Sequence, residues 1–316
     1  MKHGPAAIEV NEVGPRDGLQ IEPVFVPTDE KVRFVDALSA CGFARIEVTS
    51  FTSPRAIPAL ADAQEVMARI TRVPGVVYTA LIPNVRGLER ALEVGIDELN
   101  LVMSASETHN RANLRMTREQ SLAQLLAVIE RGAQAGKPSN VSLSTAFGCP
   151  FEGEVDAAQV LRLVQAVARA GAAGVTLCDT TGMAYPTQVA RLCERVRQAH
   201  PELGLTLHTH NTRGMALANA AAAWQTGVTR YDAAVGGLGG CPYAPGASGN
   251  VNTEELVHMF ESMGVATGVS LDRVLQVVSA LPAVVGRTPV SPLLAAGPRE
   301  RRHAAPAWLA EHFAPG

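Results

Sequence analysis

His208-Thr209-His210 carries the sharpest chemical signal in this 316-residue chain. Residues two apart on a β-strand point to the same face, so both imidazoles can reach one ion. A lone core histidine is better explained by hydrogen bonding, but a His-x-His pair at the end of a strand favours ligation. Asp17 and Asn250 offer a carboxylate and an amide oxygen, and both come near the histidines if the strands close into a barrel. Taken singly, Asp17 could instead cap a helix or pair with Arg16, and Asn250 could be a turn residue. Together the four form a mixed nitrogen and oxygen set without thiolate, which suits Mg2+ or Mn2+, with Zn2+ or Co2+ also admissible.

Arg16 is a fixed cation beside that site. It is able to stabilise an oxyanion, or to serve as structural partner to Glu47 or Asp179. These two carboxylates lie on strands that read as buried, so they must be paired, ligated or protonated, and they are expected to orient ligands. Cys241 sits among glycines at 236, 237, 239, 240, 246 and 249. Such a segment is suited to closing over a site and reopening, and its thiol could donate a proton to a carbanion. The plainer alternative is a small buried hydrophobe. Cys149, in Gly148-Cys149-Pro150-Phe151, has a weaker claim. The three lysines, Lys2, Lys31 and Lys137, stand away from any strand end. Carbon–carbon bond cleavage here would therefore rely on a metal rather than a Schiff base.

Eight short β-branched runs position these groups: Ile8–Val13, Arg45–Ser50, Val76–Ile82, Glu98–Met103, Val141–Ala146, Val175–Asp179, Leu205–His210 and Arg230–Val235. Helical patterns separate them. One opens at Thr28 as N-cap and ends at Gly42; another runs from about Val155 to Ala170 with Val160, Val164 and Val167 on one stripe. Alternating strands and helices imply a parallel sheet covered by helices. Eight such units predict an α/β fold, a (β/α)8 TIM barrel, over residues 1–285, with a short C-terminal helical extension over 286–316 that is not an independent domain. A doubly wound sheet competes, but no Gly-x-Gly-x-x-Gly follows a strand, and no organic cofactor is expected. In a barrel of this kind function sits where strands end, and the chemical residues gather at that one rim.

Lys and Arg number 27 against 30 Asp and Glu, a net charge of −3. That balance argues against a nucleic-acid partner. No run reaches the ~18 apolar residues of a membrane span. Five scattered cysteines do not read as a disulfide framework, and Met1–Glu12 lacks an apolar run behind a basic start. A cytoplasmic protein is expected, in a homo-oligomer, by preference a dimer.

Arg16-Asp17-Gly18-Leu19-Gln20, Glu47-Val48-Thr49-Ser50-Phe51, Gly148-Cys149-Pro150-Phe151-Glu152-Gly153, His208-Thr209-His210 and Gly237-Leu238-Gly239-Gly240-Cys241-Pro242-Tyr243-Ala244 together resemble the 3-hydroxy-3-methylglutaryl-CoA lyase family, part of a wider group of metal-dependent barrels that includes Claisen-type synthases. The resemblance runs from about Glu9 to Gly268. It implies cleavage of (S)-3-hydroxy-3-methylglutaryl-CoA to acetyl-CoA and acetoacetate, with roles in leucine degradation and ketone body formation. It implies that Asp17, His208, His210 and Asn250 hold the cation and that Asp17 or a neighbouring histidine such as His208 takes the hydroxyl proton. By the same resemblance Arg16 stabilises the enolate oxygen, Cys241 protonates the enolate carbon, and Glu47 and Asp179 orient Arg16 and the metal shell. Gln20, Ser50 and Thr176 join Arg16 as the expected substrate contacts. Three positions depart from the pattern: Phe151 where Tyr is common, Asn211 where Asp often follows the second histidine, and Pro23 where a basic residue is often seen. These bear on which acyl-CoA is used. A lyase for citramalyl-CoA or a longer-branched 3-hydroxyglutaryl-CoA remains an alternative. So does a synthase, although the roughly 45 residues after Ser270 leave little room for the regulatory region such chains carry.

Overall fold

The computed structural model describes residues 4–240, 249–306 and 308. Eight parallel strands close into a barrel in sequence order: β1 Glu9–Glu12, β2 Arg45–Ser50, β3 Val77–Leu81, β4 Glu98–Ser104, β5 Ser139–Ser144, β6 Gly174–Asp179, β7 Gly204–Thr209 and β8 Arg230–Ala233. Closure is made by β1 on β8, with Glu9 opposite Arg230 and Glu12 opposite Ala233. The helices on the outside are α1 Thr28–Ser39, α2 Ala63–Arg69, α3 Val85–Glu93, α4 Glu107–Leu114, α5 Arg118–Gln134, α6 Ala157–Arg169, α7 Pro186–Ala199, α8 Ala216–Gln225 and α9 Thr253–Ser262; α10 Leu271–Val285 and α11 Pro292–Ala296 follow. Among the described residues no helix is long and apolar enough to cross a membrane.

Each strand has two unlike faces, as its period of two allows. Val10, Ile46, Leu99, Leu101, Val141, Leu143, Val175, Leu177, Leu205, Leu207 and Tyr231 are buried in one continuous apolar core with the helices. The alternate positions carry polar groups that bond one another across the barrel. Asn100 donates to Glu47 at 2.7 Å, Asn140 to Asn100 at 3.1 Å and to Thr176 at 2.9 Å, and Asn11 to Asp232 at 2.9 Å. Below them Arg45 bridges Glu9 and Glu98 at 2.5 and 3.3 Å. The aliphatic layers that usually fill such a barrel are here replaced by a hydrogen-bonded stack whose upper surface is the floor of the site.

One local expectation is corrected. Pro27, not Thr28, is the N-cap of α1; the Pro27 carbonyl takes the Glu30 and Lys31 N–H groups. The Thr28 hydroxyl is drawn away to Asp62 Oδ2 at 2.8 Å. Helix α10 continues through Pro282 to Val285 and stops at Gly286, which is in a left-handed conformation. Lys31 is buried against Asp62 and the Ala59 carbonyl, both at 2.6 Å, so its ammonium serves packing rather than the barrel mouth.

Candidate metal centre at the barrel mouth

Arg16 and Asp17 reach the mouth on one tight turn, Gly14–Gly18, directly after β1. Pro15 pre-sets its own φ and lacks an N–H to satisfy. The Val13 carbonyl collects the N–H groups of Arg16, Asp17 and Gly18 at 3.1, 2.7 and 3.3 Å. The two charged side chains leave the same turn and meet, Arg16 Nη1 lying 2.7 Å from Asp17 Oδ1. Arg16 Nε and Nη2 lie 2.7 and 2.6 Å from Glu47 Oε2. A register shift between Glu47 and Thr49 in the β2–β3 pairing marks the kind of bulge that re-aims side chains beside functional sites. Burial works against the Arg16 cation, but the Glu47 and Asp17 charges outweigh it and raise its pKa. Burial likewise pushes the Glu47 carboxyl up, while Arg16 and Asn100 donate to it and act in the opposite direction.

His208 and His210 come from the end of β7, and their Nε2 atoms face each other at 3.1 Å. Asp17, His208 and His210 each bring one ligand atom within 4.8 Å of the others. Burial opposes ionisation of Asp17, yet Arg16, both histidines and the Asn250 amide together hold its carboxyl at about 2. Burial and the His208 charge push His210 down to about 3. Both groups therefore sit in their ligating protonation states at neutral pH. Asn250 returns to the mouth through the chain after the glycine-rich loop: its neighbour Val251 donates to the Thr209 carbonyl at 2.9 Å. Its Nδ2 donates to Asp17 Oδ2 at 2.7 Å and to the Leu238 carbonyl at 2.9 Å. Among the described residues its Oδ1, though buried, has no hydrogen-bond partner. A buried amide oxygen left over, a carboxylate held ionised and two facing ring nitrogens fit a divalent cation.

Other expected site residues fare differently. Asp179 does not meet Arg16. Its Oδ1 accepts the Met183 and Ala184 N–H groups at 2.7 and 3.1 Å and so shapes the turn after β6. Its Oδ2 is buried without a partner among the described residues, and burial pushes its pKa up to about 6. The assignment of Asp179 as an orienter of Arg16 is corrected on this geometry. Thr176 lies in the polar stack, two residues below Cys178, which pairs with His208; its Oγ1 is engaged by Asn140, beneath the floor rather than at the mouth. The Ser50 hydroxyl is bonded within its own turn to Thr52 at 2.8 Å. Gln20 is half-buried in the short turn Leu19–Ile21 that follows Asp17. Cys241 lies outside the described residues. Cys149 is fully buried, with Sγ 2.9 Å from Ser106 Oγ.

Two further carboxylates, Glu12 buried and Asp232 nearly so, belong to this machinery although they carry no sequence motif. Asp232 on β8 stands opposite His208, with Oδ2 3.3 Å from Nδ1. Glu12 closes β1, its Oε1 accepting the Gly14 and Val235 N–H groups at 2.7 and 3.2 Å and its Oε2 taking the Thr253 hydroxyl at 2.7 Å. It ties the turn bearing Arg16 and Asp17 to the start of the glycine-rich loop. The available signal was the one that singled out Glu47: a carboxylate inside a strand that reads as buried. A groove of about 720 Å³ on the outer wall, lined by Phe147, Asp156, Tyr185, Gln188 and Arg191 among others, contains none of the expected site residues.

Comparison with known proteins shows the family of the chain. The family model described as HMGL-like matches residues 7–281. A hydroxymethylglutaryl-CoA lyase of Bacillus subtilis is 48% identical over 271 residues, covering 86% of this chain and 91% of its own. An (R)-citramalyl-CoA lyase of Chloroflexus aurantiacus is 40% identical over 291 residues, 89% of this chain and 92% of its own. An HMG-CoA lyase of Acinetobacter baumannii, solved with coenzyme A and 3-methylmalate, superposes with a TM-score of 0.91 at 49% identity, covering 95% of this chain and 98% of that one.

Proposed function

The chain belongs to the HMGL-like family, and from that membership we propose that it is a carbon–carbon lyase cleaving (S)-3-hydroxy-3-methylglutaryl-CoA to acetyl-CoA and acetoacetate. The observation that carries the reading is the convergence of Asp17, His208 and His210 with Arg16 at 2.7 Å from Asp17, at the end of the barrel where such enzymes work. The coenzyme A bound by the Acinetobacter baumannii relative supports an acyl-CoA substrate.

In this reading Asp17, His208, His210 and Asn250 hold Mg2+ or Mn2+. When bound, that cation supplies a Lewis acid that lowers the pKa of the substrate's tertiary hydroxyl. Asp17, held at about 2, is a weak base. Asp179 is better matched to accept the hydroxyl proton, with its pKa raised to about 6 and one oxygen uncommitted among the described residues. As that proton leaves, the C2–C3 bond breaks. C3 becomes the ketone of acetoacetate, and the bonding pair stays on C2 as the thioester enolate. Arg16, fixed by Glu47, stabilises the enolate oxygen. The Cys241 thiol gives its proton to C2, which completes acetyl-CoA without consuming water. Gln20 and Ser50 remain proposed substrate contacts. Service in leucine breakdown and ketone body formation, a cytoplasmic setting and a homodimeric state complete the proposal.

The test is direct. Purified protein with Mg2+ is given the methylglutaryl and citramalyl thioesters. Acetyl-CoA and acetoacetate from the first are expected, and no acetyl-CoA from it would defeat the reading. A second reading, cleavage of citramalyl-CoA, draws on the 40% identity to the Chloroflexus aurantiacus enzyme. It predicts pyruvate in place of acetoacetate.

A further inference from the structure

Asp232 faces His208 across the β7–β8 pairing. One carboxylate oxygen, Oδ2, lies 3.3 Å from His208 Nδ1. The other, Oδ1, accepts a 2.9 Å hydrogen bond from Asn11 Nδ2 on β1. Asn11 and His208 are 8% and 7% exposed, so water is a poor substitute for either contact. A carboxylate only accepts, and it leaves Asn11 no choice but to present its –NH2. The direction of the chain is thereby set: Asn11 donates, Asp232 accepts on both oxygens, and His208 donates from Nδ1. A neutral imidazole with its proton on Nδ1 keeps its lone pair on Nε2. That Nε2 is the atom 3.1 Å from His210 Nε2.

We infer that Asp232, oriented by Asn11, is a positioning residue that holds His208 in the Nδ1–H tautomer and aims its Nε2 lone pair into the cation site. The aim at a cation rests on the functional reading above; the tautomer does not. The polarity of the chain makes the inference specific. In D232N, a near-isostere, the carboxylate that fixed the Asn11 amide is gone, and the two amides can pair in either direction. The group facing His208 Nδ1 is then an oxygen in one pairing and an –NH2 in the other, so the ring is no longer held to a single tautomer. In N11D/D232N the direction reverses. The carboxylate now at position 11 claims the –NH2 at position 232, and the amide oxygen turns back to His208.

The experiment combines two readouts on the full chain. Nitrogen-15 NMR of the imidazoles, in metal-free protein at alkaline pH where the ring is neutral, reports the His208 tautomer. Calorimetric titration with Mn2+ reports affinity. The wild type should show Nδ1–H. D232N should lose the exclusive Nδ1–H state and bind Mn2+ about 10–100-fold more weakly, and N11D/D232N should regain Nδ1–H and most of the affinity. A wild-type ring protonated on Nε2 overturns the inference, and that measurement stands even if D232N fails to fold. So does D232N with tautomer and affinity both unchanged. Wild-type protein that shows Nδ1–H but takes up no Mn2+ would instead sink the cation reading.

Discussion

Arg16 does two jobs that a single substitution cannot separate. Its guanidinium neutralises the buried Glu47 and the half-buried Asp17 beside it, and it stands ready for an oxyanion. Arg16→Gln should lower kcat/KM by about 10²–10³, the usual loss for one oxyanion donor. It should also lower stability by about 3–5 kcal/mol, because two carboxylates are left without their counter-charge; urea unfolding checks the second effect. Arg16→Lys keeps the charge without the fork. It should recover much of the stability and little of the activity. Asp179 offers a cleaner separation. Asp179→Asn should cost about 10²–10⁴ in turnover, the contribution of a general base, while Mn2+ titration of the same protein stays near the wild-type value. An equal loss of both would return Asp179 to the cation shell.

The turn after β1 and the chain flanking the glycine-rich loop act as one clamped unit, and Glu12 is the clamp. Burial pushes its carboxyl up from 4.5 to about 8, against the N–H and hydroxyl groups that lower it, with Glu254 adding repulsion. Between those two values the folded protein holds a proton that the unfolded chain has lost, so stability falls as pH rises through the window. His210, lowered to about 3, works the other way up to its ordinary value of 6.5; above that, Glu255, raised to about 7, and His208, raised from 6.5, add to the decline that Glu12 causes, so the Glu12 share over pH 6.5 to 8 is read as a difference between proteins. Glu12→Gln mimics the protonated side chain. It should flatten the decline in urea midpoint over that interval relative to the wild type; a parallel decline would exclude Glu12 as a source. Gly249 sets the return of the loop. Its φ is +60°, and a Cβ there would lie 2.1 Å from the Gly237 carbonyl oxygen. Both backbones would have to move, so Gly249→Ala should lower the melting temperature and, by displacing Asn250, weaken Mn2+ binding. Unchanged values for both would show the turn to be pliable.

At the level of the whole barrel, a cation that binds only the folded chain must stabilise it by mass action. Mn2+ at about 100 times its dissociation constant should add about 2.7 kcal/mol. The melting temperature should climb with concentration and fall back on chelation, by calorimetry or dye fluorescence. The effect should vanish in a His208→Ala, His210→Ala protein. A cation-independent melting temperature in the wild type would remove the metal centre.

Much of this was legible from pattern alone. Strand runs with an apolar stripe predict β2 at its observed limits and the remaining strands within two residues or so at either end. His-x-His spacing places both imidazoles on one face of β7, because period two is a property of any strand. Asp17 and Asn250 needed closure of the barrel to meet, but the closure followed from counting eight units. Partner choice was not local. Arg16 had two carboxylates to choose from, and the register of β1 against β2 gave it Glu47, while Asp179 was taken up by the backbone of its own turn. Thr176 reads as a rim residue on a strand that ends in Asp179, yet it sits one pleat too low and bonds Asn140. Asp232 and Glu12 carry no motif at all; their roles exist only because β1 and β8, some 220 residues apart in the chain, lie side by side. Residue type and periodicity thus determined which groups could do chemistry and which face they share, since both follow from short-range geometry. The tertiary structure decided who pairs with whom, since a hydrogen bond's partner depends on strand stagger to within an ångström.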